Sequence, residues 1–369
     1  MRHPTDQKRH GLHEALKANV RYLPEYLYQE PFRVLKGIFY SARLPGFGAA
    51  LKLWLKHLAR DPTPNRVRRF GQAAVLAREA SPELKFIYAH FLHTPSSVAL
   101  YASVMRGADW GFSAHAKDIW KSPDWEKQDK LARATFGVTC TGLGADHLRS
   151  LSKNPAKLEL VYHGLDLSRF PPPPSPRPRR DGSDKPVTVI SVGRLVEKKG
   201  YDLLLGALAR LPATLNWRFV HIGGGDLSAK LKAQAQKLGL SERIEWRGSR
   251  DQNEVIAALR EADIFVLPSR IASDGDRDGL PNVLMEAASQ DLPILSTAVS
   301  SIPEFIENGK QGVLVQPDAK ELAEALARMI ADPEGRATAA VAARKRLVES
   351  FGMDAGIDRL VTRLQSALA

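Results

Sequence analysis

Beyond about residue 185 the chain alternates short apolar runs with amphipathic stretches. Residues 187–192 form a β-branched run ending at Gly193, which predicts a buried strand. Residues 201–211 repeat apolar positions at helical spacing and predict a helix. The same reading predicts strands at 218–222, 244–246 and 264–267, and helices at 227–238, 253–262 and 281–289. Segments 293–296, 303–307 and 312–315 continue the rhythm, and 319–330 is a further helix. Strict alternation implies a parallel sheet covered on both faces. Ligands of such sheets sit beyond the carboxyl ends of the strands.

The first half is less regular. Residues 5–80 read as helix or loop, and strands are predicted only at 84–89, 110–114, 137–141 and 158–162, a Rossmann-like sequence that starts late. Segment 39–58 mixes Phe39, Tyr40, Leu44, Phe47, Leu51, Trp54, Leu55 and Leu58 with Arg43, Lys52 and Lys56. It predicts an amphipathic helix, and packing on its own domain suits it better than lying on a membrane. Between the halves, Pro171, Pro172, Pro173 and Pro174 precede Arg177, Arg179 and Arg180. Such a stretch suits neither a helix interior nor a central strand and predicts an extended linker. The expected organisation is an incomplete N-terminal domain (1–170), a linker (171–184), a C-terminal domain (185–350) and a last helix (351–369) packing back on the first domain.

Composition narrows the class. At 369 residues, 44% hydrophobic and 25% charged, the chain has a globular composition with room for two cores. With 27 glycines and 24 prolines, collagen and global disorder are excluded. Cys140 is the only cysteine, so no intrachain disulfide forms and a cysteine-rich zinc site is ruled out. No uninterrupted apolar run is long enough to span a bilayer, and the expected compartment is the cytoplasm. The net charge of +12 lies wholly in residues 1–184, with 29 Lys and Arg against 17 Asp and Glu; the remainder has 24 of each. A one-sided basic surface favours an anionic partner, although a merely solvated surface carries the same charge. No aromatic-and-basic recognition motif accompanies it, so nucleic acid is not an expected partner.

Three stretches carry candidate chemistry. Gly193-Arg194 follows a predicted strand and Lys198-Lys199-Gly200 precedes the next helix, so a glycine turn, fixed cations and backbone N–H groups converge as in an anion site. Taken alone, a solvated basic turn explains the same residues. Gly223-Gly224-Gly225-Asp226 admits either close approach of a ligand to the backbone or a tight turn with Asp226 as helix cap. In the run from Asp274 to Ala287, Pro281 is expected to begin a helix, with Gly279 and Leu280 offering N–H groups at its positive end. Asp278 and Glu286 can then both accept hydrogen bonds from one polyhydroxylated ligand. Asp274, Asp276 and Asp278 lack the twelfth-position Glu of a calcium loop, so no metal is expected.

Together with Ser300-Ser301-Ile302-Pro303-Glu304 and the run from Asn308 to Val315, these stretches resemble the donor half of glycosyltransferase family 4, retaining enzymes of the GT-B fold. Ala89-His90-Phe91, Ala114-His115-Ala116-Lys117-Asp118-Ile119 and Tyr162-His163-Gly164-Leu165-Asp166 resemble its bacterial exopolysaccharide, colanic-acid-type branch. The resemblance runs in order over residues 84–350. It implies an α/β, GT-B architecture of two Rossmann-like domains facing a cleft. It implies transfer of a sugar from a nucleotide-diphosphate donor to a glycan or lipid-linked acceptor, without cofactor or metal, at an anionic membrane face. Arg194 and Lys199 match the pair holding the donor diphosphate. Asp278 and Glu286 match the E-x7-E motif, the first facing the sugar and the second the nucleotide ribose. His115 matches the acceptor-domain catalytic histidine, with Asp118 supporting it, and Arg250 lies in the turn that holds the nucleobase. Asp278 stands where Glu is usual, one methylene shorter. The family's opening strand, acceptor loop and second strand have no counterpart here, so the N-terminal domain is expected to be truncated. That leaves two rivals: a catalytically impaired sugar-nucleotide-binding remnant, and a GT-B epimerase acting on the donor alone.

Overall fold

The computed structural model describes residues 18–175 and 177–368. They form two compact α/β units. The first takes the described residues up to Val138, Leu148–Glu159 and the chain from Leu364; the second takes Thr139–His147 and Leu160–Arg363.

In the first unit four strands lie side by side in chain order: β1 (Phe86–His90), β2 (Asp109–Ala114), β3 (Phe136–Thr139) and β4 (Leu158–Leu160). β1 and β2 are parallel, with Phe86 opposite Asp109 and His90 opposite Ser113. Among the described residues, what precedes β1 is a 3₁₀ turn at Leu27–Gln29 and the helices Pro31–Ser41, Phe47–Arg60 and Pro64–Glu79. This follows the helix-or-loop reading of 5–80, whose part up to residue 17 lies outside the described residues.

The single helix expected over 39–58 is two. Pro45 cannot continue a helix, and a Cβ on Gly46 would lie 1.8 Å from the Val104 carbonyl oxygen, so the chain turns where it meets helix Thr94–Arg106. Helix Phe47–Arg60 buries Ala50, Leu53 and His57 in the core. Helix Pro31–Ser41 buries only Val34, Gly37 and Ser41, and leaves Phe32 77% and Phe39 65% exposed.

The second unit carries β5 (Val187–Val192), β6 (Trp217–Ile222), β7 (Ile244–Trp246), β8 (Ile264–Leu267), β9 (Ile294–Thr297) and β10 (Val313–Val315) in the order β10-β9-β8-β5-β6-β7. The paired strands are parallel throughout. Val187 to Ser191 are all buried, as a β-branched run covered by helices on both faces requires. The chain runs outward from β5 through β6 to β7, then returns to β8 on the other side. The order therefore reverses between β5 and β8, the switch point at which such sheets place their ligands.

The Pro-rich stretch, expected to be an extended linker, has contacts of its own. It is tied along the second unit by its arginines. The Arg177 guanidinium donates to the carbonyls of Leu259 (3.1 Å), Ala262 (2.6 Å) and Gln290 (2.6 Å). These carbonyls end helices Gln252–Glu261 and Asn282–Ser289, where unpaired C=O groups and the helix dipole favour a cation. Burial pushes Arg177 down to about 10. Arg180 pairs with Asp263 at 2.9 Å, and Asp263 also accepts from the Thr188 N–H at the start of β5. The helix expected over 351–369 is Met353–Leu368.

Candidate active site

The loops leaving β5 and β8 lie next to one another because their strands are neighbours. The β5 loop closes through Glu197–Lys199, a 3₁₀ turn, into Gly200 at φ 65°. A Cβ on Gly200 would stand 1.9 Å from the Pro268 carbonyl oxygen, so glycine alone lets this loop lie against the chain leaving β8. Further bonds join the two loops. Arg270 N–H donates to the Lys198 carbonyl (2.9 Å), and Ser273 N–H and Oγ donate to the Glu197 carboxylate (2.8 and 3.0 Å).

Four charged residues meet here. Lys199 Nζ lies 2.7 Å from Asp278 Oδ2, and Lys198 Nζ lies 3.4 Å from Asp278 Oδ1 and 3.2 Å from Asp276. Arg194, on the same β5 loop, is exposed and forms no ion pair among the described residues. Gly279 and Leu280 are half-buried, and Pro281 caps helix Asn282–Ser289 rather than beginning it. Glu286 stands on that helix; burial raises its carboxyl above the usual range, with the charge of Arg169 opposing.

The glycines after β6 serve packing. Gly223 (φ 140°) and Gly225 (φ 153°) would carry Cβ atoms 2.0 Å from the Gly193 carbonyl oxygen and 2.6 Å from that of Leu195. Gly224 accepts from Leu195 N–H at 2.8 Å, which ties this turn to the β5 loop. Asp226 does not cap the following helix: Leu227 holds the cap position, without a side-chain bond. Arg250 lies in the exposed turn after β7, paired with Glu254 at 3.2 Å.

In the first unit, His115 follows β2 and caps helix Ala116–Lys121. Asp118 is buried, and its Oδ2 accepts from the N–H groups of His115 (3.2 Å) and Leu92 (2.6 Å), so one carboxylate fixes the loops after β1 and β2. The His115 ring lies 4.5 Å from His90 and 4.9 Å from Phe91. Phe91 holds φ 84°, a strained backbone for a bulky side chain, at the end of β1. The sequence shows the Ala89-His90-Phe91 and His115 motifs separately; that they meet comes from adjacent strands ending together.

The comparisons with known proteins agree on the class. Residues 177–346 match the family described as glycosyl transferases group 1. WcaL of Salmonella typhimurium, named for colanic acid biosynthesis as a glycosyltransferase, is 32% identical over 259 residues, 69% of this chain and 63% of WcaL. The amylovoran biosynthesis glycosyltransferase AmsK of Erwinia amylovora is 36% identical over 188 residues, 50% of this chain and 46% of AmsK. The chain thus spans less than two thirds of these relatives. Among solved structures, Anabaena Alr3699/HepE in complex with UDP and glucose superposes with a TM-score of 0.67 at 20% identity, over 80% of this chain and 81% of that one. The fold is that of the GT-B glycosyltransferases.

Proposed function

We propose that this chain is a retaining glycosyltransferase that moves a sugar from a nucleotide-diphosphate donor to a glycan or lipid-linked acceptor in exopolysaccharide assembly. One observation carries the reading: Lys198, Lys199 and Asp278 converge at the β5/β8 switch point, inside the segment that matches the group 1 family. The names of WcaL and AmsK, and the UDP and glucose held by the HepE structure, support the pathway and the donor class.

The barrier is departure of a diphosphate from an oxocarbenium-like carbon. Arg194, Lys199 and the N–H groups of Gly279 and Leu280 stabilise the charge developing on the leaving group, and such preorganised stabilisation usually lowers a barrier more than any other single effect. In the free protein Asp278 occupies the Lys199 ammonium. The donor diphosphate competes for that ammonium, and its arrival releases the Asp278 carboxylate toward the hydroxyls of the sugar. Glu286 accepts from the ribose, Gly224 leaves room for the nucleotide, and Arg250 lies toward the base. His115 serves the acceptor side, positioned through its backbone by Asp118. No metal or cofactor enters.

The acceptor side meets an anionic membrane. On helix Pro31–Ser41, Phe32, Leu35 and Phe39 are exposed at helical spacing with Lys36 exposed beside them, and Tyr28 and Arg43 are exposed just outside its two ends, an apolar-and-basic surface suited to a membrane interface. Co-sedimentation with vesicles containing anionic phospholipid, lost in Phe32→Ser/Phe39→Ser, is the expected result; equal binding by the variant removes this contact.

The decisive experiment is calorimetric titration of the chain with UDP-, GDP- and ADP-sugars. One donor binds, and Lys199→Ala weakens it by about tenfold or more. Unchanged binding in the variant overturns the donor site. Binding without turnover on any acceptor leaves a nucleotide-sugar-binding protein instead.

A further inference from the structure

We infer that the first unit holds a second, separate anion site, shaped for a phosphorylated sugar. A cavity of about 450 Å³ opens beside the carboxyl ends of β1 and β2, lined among others by Arg60, Arg69, His93, Lys117, Lys121 and Glu126. That volume admits a ligand of small-molecule size.

The charges beneath and around the cavity favour an anion. Glu126 accepts at once from Arg66 (2.8 Å), Arg69 (3.0 Å), Lys130 (2.6 Å) and the Ser97 hydroxyl (3.1 Å). Asp61, also in the lining, is taken up by Arg66 at 2.6 Å. The third lining carboxylate, Asp118, is engaged through Oδ2 by two backbone N–H groups. Against these three acids stand six cations: Arg60, Arg66, Arg69, Lys117, Lys121 and Lys130. Lys130 spends its three donors on Glu126 and the carbonyls of Leu92 and His93, and Arg60 reaches Asp129 at 3.9 Å, but the two guanidinium groups that hold Glu126 keep N–H groups to spare. Arg69, which lines the cavity, has its Nε buried without an acceptor, a cost that an oxyanion in the cavity would relieve.

His93 completes the set. Its Nδ1 accepts from Thr94 N–H, and burial lowers its pKa, so the neutral ring carries its proton on Nε2 as a donor. The strained Phe91 backbone, stacked 5.7 Å from His93, marks this strand end as a functional position.

The pocket stands on its own geometry; its use as the place for the acceptor's anionic end rests on the proposed transfer. The probe is inorganic pyrophosphate, titrated at low salt into the whole chain and three variants. Wild-type protein binds at two sites. Lys199→Ala retains one, and Lys117→Ala, an exposed residue outside the buried network, weakens that remaining one at least fivefold. Arg69→Gln, checked by its circular dichroism, abolishes it. If Lys199→Ala removes all binding, or Lys117→Ala and Arg69→Gln change nothing, this inference falls while the donor site stands. If both sites persist in Lys199→Ala, the donor assignment falls and this one stands. A second arm offers a lipid diphosphate in neutral vesicles. Capture that depends on Lys117 assigns a lipid headgroup, and pyrophosphate binding without capture assigns a free phosphorylated sugar; either outcome upholds the site.

Discussion

Each unit gathers lysines, arginines and carboxylates near the carboxyl ends of its strands, yet the two clusters are built differently. In the first unit Glu126 is almost wholly buried and rides on a helix, Asp124–Arg133, that also carries Lys130. Burial alone would raise its carboxyl, but Lys130, Arg66 and Arg69 outweigh burial and hold it well below the usual carboxylate range. Burial pushes Lys130 down to about 8, against the pull of Glu126. In the second unit Asp278 rides on a loop, its side chain 15% exposed and that of Lys199 12%. A carboxylate on a loop can leave its lysine at small cost and return. A carboxylate holding three buried cations cannot leave without stranding them. The two ion-pair clusters therefore differ in kind: one fixes a frame, and the other, under the proposed function, holds a place that a ligand's phosphates would take.

Paired substitutions break or sharpen this contrast. Glu126→Gln strands buried cations and should cost about 3–5 kcal/mol in urea unfolding, whereas Asp278→Asn should cost about 1 kcal/mol or less. Similar losses from both would erase the distinction. The same Asp278→Asn protein should bind pyrophosphate at least as tightly as wild type, since the competing carboxylate is gone.

A smaller effect concerns a buried group in the second unit that lacks a charged partner. Burial pushes His221 down to about 4. Unfolded, it takes up a proton near pH 6.5, so its contribution is complete above that value and lost as pH falls toward 4. The loss is about 1.4 kcal/mol per pH unit in that window, or about 2 kcal/mol between pH 7 and 5. In thermal unfolding His221→Phe should flatten this pH slope while keeping the edge contact with Tyr201. An unchanged slope would mean that the ring is already reached by solvent.

The strands and helices of both units were legible because each is written locally. A short apolar run bounded by polar, proline or glycine residues is a strong local strand signal, and 187–192, 244–246 and 264–267 match β5, β7 and β8 residue for residue. The candidate site residues were nameable for a related reason: Arg194, Lys199, Asp278 and Gly279 sit on strand-to-helix loops, and Glu286 on the helix that follows, in motifs that are short and contiguous. What the pattern concealed is long-range. Nothing near residue 199 says that its ammonium will rest on a carboxylate 79 positions later, and the break at Gly46 depends on the backbone of Val104. The Asp226 cap failed because that helix starts later, at Ser228. The proline-rich stretch read only as an extended linker, its anchoring hidden because the carbonyls that hold Arg177 lie 82 to 113 residues away. The basic cavity draws Arg69, His93, Lys117 and Glu126 from separate elements with no shared motif. Sequence settled what neighbours along the chain can decide by backbone preference and hydrophobic period. The fold alone settled which charges meet, because an ion pair depends on distances of a few ångströms between segments that only packing brings together.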